Sequence, residues 1–153
     1  MANKISTWQI GRIKITRVIE GEGVGPLFVL PDATPENIIK MPWLQPHFAD
    51  SDGNTIASIH ALILETPDKC IMVDTCLGND KQRHIPEWNM LHTKFLEDLE
   101  RAGYSTEKID TVLCTHMHTD HVGWNTVLTN DQWEPTFKKA DYLFGKKEWE
   151  HTE

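Results

Sequence analysis

Long apolar runs and positive charge are both scarce in this sequence, and cysteine is sparse. Among its 153 residues, 15 are Lys or Arg and 23 are Asp or Glu, which gives a formal net charge of −8 at pH 7. Nucleic acid and acidic membrane surfaces carry the same sign of charge, so we expect neither as a partner. No apolar stretch reaches the roughly 20 residues that a membrane-spanning helix needs, and none near Met1 has the length of a signal peptide. The sequence therefore predicts no membrane association.

The three cysteines predict free thiols. Cys70, Cys76 and Cys114 are odd in number and lack the spacing of a disulfide framework. Cys70 and Cys114 lie in apolar runs, where small buried residues are common. Cys76 has no base near it in the sequence, so we interpret it as a packing residue and not as a nucleophile. This pattern favours a reducing, cytoplasmic location.

The hydrophobic pattern predicts an α/β domain. Hydrophobic residues make up 39% of the chain and charged residues 25%, a balance typical of globular proteins. Strands are predicted over residues 56–66, 69–74 and 111–115, with a helix over Trp88–Ala102 between the second and the third. Within the second of these strands, Cys70–Val73 is continuously apolar, which predicts burial on both faces. Strand, helix and strand in this order indicate a layered α/β sheet.

The remaining segments predict smaller elements around that sheet. A hairpin is predicted over Trp8–Glu20, and a long excursion loop follows over Gly21–Gly53. A second hairpin is predicted over residues 126–137, turning at Asn130-Asp131. A helix is expected to begin at Lys146.

The segment that carries chemistry is Thr115–His121, which reads Thr-His-Met-His-Thr-Asp-His directly after a buried strand. Imidazole and carboxylate groups are ligands that suit zinc and neighbouring metals. In extended backbone, His116 and His118 project to the same side and can hold one ion together. A turn would aim Asp120 and His121 at a second ion beside the first. Helical zinc motifs space their histidines at i and i+4, so this spacing predicts a site on a loop.

The pattern His-x-His-x-Asp-His resembles the signature of the metallo-β-lactamase superfamily, which includes lactonases, phosphotriesterases, glyoxalase II enzymes and ribonucleases. The segment Val73–Gly78 is similar to the family's strand-Asp-Thr-x-x-Gly element, and residues 110–115 resemble the strand that delivers its histidines. Gly78–Lys81 together with Val122–Asn125 is similar to the branch that contains methyl parathion hydrolase and quorum-quenching lactonases. The resemblance extends from about Ile56 onward.

This resemblance implies a role for each residue of the site. His116 and His118 would bind a first metal ion, and Asp120 and His121 a second. Asp120 would also be catalytic, because it would orient the metal-bound nucleophile or pass a proton to the leaving group. Asp74 would lie behind the ligands and hold the loop or an imidazole in place, although a simple turn aspartate is the alternative. Two zinc ions are expected in the intact site, with iron or manganese as alternatives.

The same resemblance implies that residues 1–153 form only part of a metallo-β-lactamase-like domain. The family fold is an αββα sandwich of two similar halves, so we expect its N-terminal half, a mixed β-sheet with helices on one face. The remaining ligands of the family come from the C-terminal half, and His151 is the only histidine after His121. We expect His151 to lie in a helix and not to bind metal. Self-association, or pairing with a C-terminal half, is expected to cover the open sheet face.

The predicted function is zinc-dependent hydrolysis. A metal-bridged hydroxide would attack a small-molecule lactone or carboxylic ester, or in second place a phosphotriester. Two alternatives stay open: a non-catalytic metal-binding N-terminal fragment, and an iron-dependent oxidoreductase of the same superfamily. Diiron flavoprotein members usually carry Glu where this chain has His118, whereas mononuclear iron dioxygenases keep the histidine. The isolated histidines are interpreted as ordinary surface or hydrogen-bonded residues: His47, His60, His84 and His92.

Overall fold

The computed structural model describes residues 5–25 and 30–152. The described residues form two compact units, one from residues up to Glu20 and from Ile59 onward, the other from within Gly21–Ser58. The second unit corresponds closely to the predicted excursion loop. All the predicted site residues belong to the first unit, so the site can be described within it alone.

The strands of the described residues are β1 (Ile5–Ile10), β2 (Ile13–Gly25), β3 (Thr55–Glu65), β4 (Cys70–Val73), β5 (Thr111–Leu113), β6 (Thr126–Thr129), β7 (Gln132–Pro135) and β8 (Asp141–Leu143). Six of them form one sheet in the order β1-β2-β3-β4-β5-β8, and β6 pairs with β7 separately. Strand β3 runs antiparallel to β4, whereas β4 is parallel to β5 and β5 to β8. The predicted mixed sheet is confirmed.

Both predicted hairpins are present, and turn geometry explains each. Strands β1 and β2 pair from Ile10↔Ile13 outward, and Gly11 adopts a φ of +57° at the turn between them. In the β6–β7 hairpin, Asn130 and Asp131 have φ values of +50° and +61°. Two consecutive left-handed residues are typical of the two-residue turn whose twist matches that of paired strands.

The helices are short. They are α1 (Pro35–Ile38), α2 (Phe95–Arg101) and α3 (Lys146–Thr152), with 3₁₀ turns at Pro42–Leu44, Pro86–Trp88, Thr106–Lys108 and Gly123–Asn125. Within residues 5–25 and 30–152, no helix combines the length and the apolar character that crossing a membrane requires.

The helix predicted over Trp88–Ala102 begins only at Phe95, so the prediction is wrong for its N-terminal part. The Asn79 side chain accepts a hydrogen bond from Thr93 N at 2.7 Å and donates one to Thr93 O at 3.0 Å. Met90 adopts a φ of +50°, which no helix allows. These local contacts compete with helical hydrogen bonds, and a hydrophobic stripe cannot reveal them. The predicted end is correct, because Gly103 follows with a φ of +93°.

The sheet buries one face more completely than the other. Ile63, Met72 and Val112 are fully buried, and they share a core with Phe95 and Leu99 of α2. This packing explains why α2 carries apolar residues four positions apart.

The opposite face is only partly covered by the described residues. Val73, Leu113 and Leu143 are register partners across β4, β5 and β8, and Leu113 and Leu143 are 39% and 49% exposed. Ile71 and Val73 are half-buried. The expectation that β4 is buried on both faces is therefore wrong, because its alternate residues meet different surroundings.

Candidate metal centre

The predicted site lies where two parallel strands end side by side. Val73, the last residue of β4, is paired with Leu113, the last residue of β5. The polar segments that follow these strands therefore start from the same edge of the sheet, where α/β proteins place their ligand sites. The segment from His116 to His121 is a loop and contains no helix, as its histidine spacing predicts.

Backbone hydrogen bonds join the two segments. Thr75 N donates to His121 O at 2.8 Å, and Trp124 N donates to Thr75 O at 2.8 Å. A Cβ at Gly123 would lie 1.9 Å from the carbonyl carbon of Leu77, so only glycine allows this approach. The loop after β4 and the histidine loop are consequently held as one surface.

Asp74 connects the two loops through its side chain. Its Oδ1 accepts a hydrogen bond from Thr115 N at 2.8 Å, and its Oδ2 lies 2.9 Å from His121 Nδ1. The Asp74 side chain is only 14% exposed, whereas its partner Thr115 lies at the surface. Its φ of +58° is a conformation that Asp and Asn adopt more readily than most residues. The structure thus brings Asp74 to the place that its proposed supporting role requires.

The predicted metal ligands lie beside one another. The imidazole ring of His116 has its centroid 4.7 Å from that of His118 and 3.9 Å from that of His121. Asp120 Oδ2 lies 3.4 Å from His121 Nε2. His121 and Asp120 are 28% and 26% exposed, so solvent and small molecules can reach them.

This donor set suits a divalent metal in its chemistry, since it joins three imidazoles to carboxylates. Within residues 5–25 and 30–152, no group of three or more His, Cys, Asp or Glu side chains is arranged to hold a metal ion. The prediction assigns two donors from this chain to each ion, so it does not require a group of three. The assignments of His116, His118, Asp120 and His121 as ligands stay predictions.

A buried carboxylate that the sequence does not reveal supports the same loops. Glu20 is 4% exposed, and its Oε2 accepts a hydrogen bond from Leu77 N at 2.6 Å. Its Oε1 accepts hydrogen bonds from Trp124 Nε1 at 2.7 Å and from Thr93 Oγ1 at 2.9 Å. The only signal in the sequence is that position 20 shares the alternation of Val18, where a buried side chain is expected. The partners lie 57 to 104 residues away, beyond what local patterns can indicate.

Two residues close to the site in the sequence, Cys76 and Trp124, lie in the core. Cys76 is fully buried, and burial raises the pKa of its thiol well above the ordinary value. Such a thiol stays protonated, which supports its interpretation as a packing residue. Trp124 is 3% exposed and stacks on Phe95 with ring centroids 5.9 Å apart, so it packs into the core. All three cysteines are buried free thiols.

Comparison with known proteins assigns the family. The model of the metallo-beta-lactamase superfamily matches residues 55–151, and the chain therefore belongs to this superfamily. The resemblance found in the sequence is confirmed. No curated protein sequence matched the chain.

Solved structures share the fold. AidC, a dizinc quorum-quenching lactonase determined with a bound product, is 21% identical with a TM-score of 0.69, covering 95% of this chain and 46% of its own. A probable metal-dependent hydrolase from Staphylococcus aureus is 23% identical with a TM-score of 0.68, covering 94% and 50%. The hydrolase AbOPH is 20% identical with a TM-score of 0.64, covering 98% and 47%. The chain thus spans about half the length of these structures and has the fold of half of the metallo-β-lactamase domain.

Proposed function

We propose that the chain contributes His116, His118, Asp120 and His121 to the metal centre of a hydrolase that opens lactones or carboxylic esters. Phosphotriesters are the second substrate class. The observation that carries the proposal is the gathering of these side chains with Asp74 at the ends of β4 and β5, in a chain of the metallo-β-lactamase superfamily. The dizinc lactonase AidC, which shares the fold, supports zinc and a small-molecule substrate.

Hydrogen bonds behind the ligands would fix the orientation of two imidazoles. His121 Nδ1 faces the Asp74 carboxylate, so its proton resides there and Nε2 keeps a lone pair for a metal. Thr115 Oγ1 donates to Asp74 and lies 3.0 Å from His116 Nδ1. His116 Nδ1–H can therefore donate to that hydroxyl, which leaves Nε2 of His116 as an acceptor as well. One carboxylate would thus orient both rings.

Asp120 is the residue to which we assign the proton transfer. Its carboxylate is 26% exposed, and its Oδ2 lies 3.4 Å from His121 Nε2. When bound, divalent metal ions supply a nucleophilic hydroxide at neutral pH and stabilise the negative charge that develops on the substrate oxygen. Asp120 would then hold a proton at its carboxylate and deliver it to the leaving oxygen.

The domain assignment is part of the proposal. We propose that residues 1–153 form part of one metallo-β-lactamase-like domain and that the remaining ligands come from the half that the solved relatives have in addition. The activity, substrates and partners proposed here are those of the whole protein.

The test is hydrolysis by the protein expressed from its whole coding sequence and loaded with zinc. D120N should lower kcat for a lactone or a carboxylic ester about 100-fold or more, the usual contribution of a positioned acid or base. D131N is the matched control, because Asp131 lies in an exposed turn with a φ that Asn tolerates.

Three outcomes would contradict the proposal. Zinc binding without turnover of a lactone, an ester or a phosphotriester would favour the non-catalytic metal-binding alternative. Iron in the purified protein together with substrate-dependent oxygen consumption would favour the oxidoreductase. Equal loss of activity in D120N and D131N would contradict the role of Asp120.

A further inference from the structure

A pocket of about 450 Å³ lies in the segment between β4 and α2. Its lining residues are Gln82, Arg83, His84, Asn89 and Met90. Two hydrogen bonds close this segment into a loop: Met90 N donates to Lys81 O at 2.8 Å, and Arg83 N donates to Asn89 Oδ1 at 2.8 Å. The 3₁₀ turn Pro86–Trp88 forms the far end of the loop. One backbone and one side-chain hydrogen bond therefore hold the two ends of the pocket-lining segment together.

The guanidinium of Arg83 has donors to spare. Its Nη2 makes one long contact, 3.4 Å to Leu77 O, and its Nε is buried without a hydrogen-bond partner among the described residues. Among residues 5–25 and 30–152, no carboxylate lies within 4.0 Å of the Arg83 guanidinium. Other Lys and Arg side chains do form such ion pairs. Burial lowers the pKa of Arg83, as expected for a cation without a counter-ion. A guanidinium without a carboxylate partner has N–H donors that a bound anion can satisfy as acceptor.

A second cationic side chain, that of Lys81, lies near Arg83. Lys81 is half-buried, and its ammonium donates to Thr126 O at 2.8 Å and lies 4.0 Å from the centre of the Trp133 ring, with no carboxylate partner among the described residues. The His84 side chain also lines the pocket. None of the residues that line the pocket is acidic. Of the acids in the neighbouring sequence, Asp80 faces His92 at 3.4 Å, and Glu87 lies in the 3₁₀ turn at the far end of the loop. A cationic pocket in a chain with a net charge of −8 is a local feature and does not follow from composition.

We propose that this pocket is an oxyanion-binding site that takes a carboxylate or phosphate group, with Arg83 as its principal donor. None of its lining residues is a predicted metal ligand, so the proposal does not rest on the hydrolase assignment. Carboxylate and phosphate share the geometry that a guanidinium fork recognises, and direct competition distinguishes them.

The experiment is a titration of the metal-free chain followed by NMR at the arginine Nε–H resonances, with the Arg83 signal assigned from R83K. Succinate and inorganic phosphate are the probes, and sodium chloride at matched ionic strength is the reference. The Arg83 signal should shift saturably with at least one of the two probes and not with chloride. R83Q should weaken the apparent affinity about tenfold or more, as expected when a charge-assisted donor is lost.

R12Q is the matched control, because Arg12 is exposed at the turn between β1 and β2. It should leave the affinity unchanged. The tighter of the two probes identifies the preferred anion, and either result supports the site. Shifts that are equal for chloride and both probes, or an R83Q chain that binds as tightly as the wild type, would overturn the proposal. The wild-type titration alone can do so even if R83Q does not fold.

Discussion

The carboxylate of Asp74 is shared by Thr115 and His121, so one side chain fixes the start and the end of the histidine loop. Replacing it with asparagine keeps the size and the preference for positive φ but removes the charge that His121 Nδ1–H faces. D74N should therefore weaken zinc binding about 10- to 100-fold, the usual effect of losing such support. Competition with a chelating indicator measures this affinity.

The control for D74N is D68N, in the exposed turn between β3 and β4. It should bind zinc as the wild type does. If D74N binds zinc with wild-type affinity, Asp74 is only a turn residue and its supporting role is wrong.

Lys81 makes the free energy of unfolding depend on pH in the alkaline range. Burial, with Arg83 nearby as a smaller cause, lowers the pKa of Lys81 from 10.5 to about 8. The folded chain releases this proton at lower pH than the unfolded chain, so the native state gains stability as pH rises from about 8 to about 10.5. K81M removes the group. The free energy of unfolding of the wild type minus that of K81M should therefore rise across this range.

Chemical denaturation at several pH values measures both variants. The exposed lysine Lys69 in the β3–β4 turn provides the control, K69M. Parallel pH curves for the wild type and K81M would show that the pKa of Lys81 is not lowered in the folded state.

Site residues that lie together in one short segment can be predicted from the sequence. Residues whose partners are distant along the chain cannot. His116, His118, Asp120 and His121 could be proposed because they lie together in one short segment. Glu20 could not, because the hydrogen bonds that keep its carboxylate in the core come from residues far along the chain.

Among the elements, the contact between the loop after β4 and the histidine loop depends on Gly123. The Cβ of an alanine would overlap the backbone of Leu77, which cannot move without breaking the hydrogen bond to Glu20. G123A should lower the free energy of unfolding by about 3 kcal/mol, the upper end for overpacking. It should also weaken zinc binding, because the two loops would separate.

The matched substitution is G21A, since a Cβ at Gly21 would meet no atom within 4 Å. Its free energy of unfolding should change by less than about 1 kcal/mol. Thermal or urea unfolding of both variants provides the comparison. Equal stability of G123A and the wild type would mean that the loops do not approach as closely as described.

The hydrophobic pattern predicts which strands and helices are present better than it predicts the residues at which they begin and end. The hairpins follow from alternation and turn residues, and the strands β4 and β5 follow from short apolar runs. The start of α2 does not, because Asn79 fixes Thr93 through side-chain bonds that a hydrophobic pattern does not contain. The incomplete burial of β4 could not be predicted either. A continuous apolar run shows that both faces of a strand can be buried, but it does not show whether another element covers each face.

For the whole molecule, the partly covered sheet face predicts association. The register row Val73, Leu113 and Leu143 presents neighbouring apolar side chains, and the last two are substantially exposed. Contiguous apolar surface of this kind favours a partner. The 153-residue chain should therefore form dimers or larger species in light scattering, and L143E should shift it towards the monomer.

L128E is the control, because Leu128 is 36% exposed in the separate β6–β7 hairpin. It should leave the association unchanged. A monodisperse wild-type monomer at micromolar to millimolar concentrations would contradict the prediction, and so would equal dissociation by both variants.

The central claim is that the histidine loop is a metal centre, and calorimetric titration of the 153-residue chain with zinc tests it most directly. Catalytic zinc sites normally hold the ion with three protein ligands, whereas this chain is predicted to give two to each ion, so binding should be measurable but weak and readily reversible. The double variant H116A/H118A should lower the zinc affinity at least about tenfold. The double variant H47A/H151A removes two exposed histidines outside the loop and should bind as the wild type does. Zinc binding that survives H116A/H118A unchanged, or that is lost in H47A/H151A, would contradict the claim.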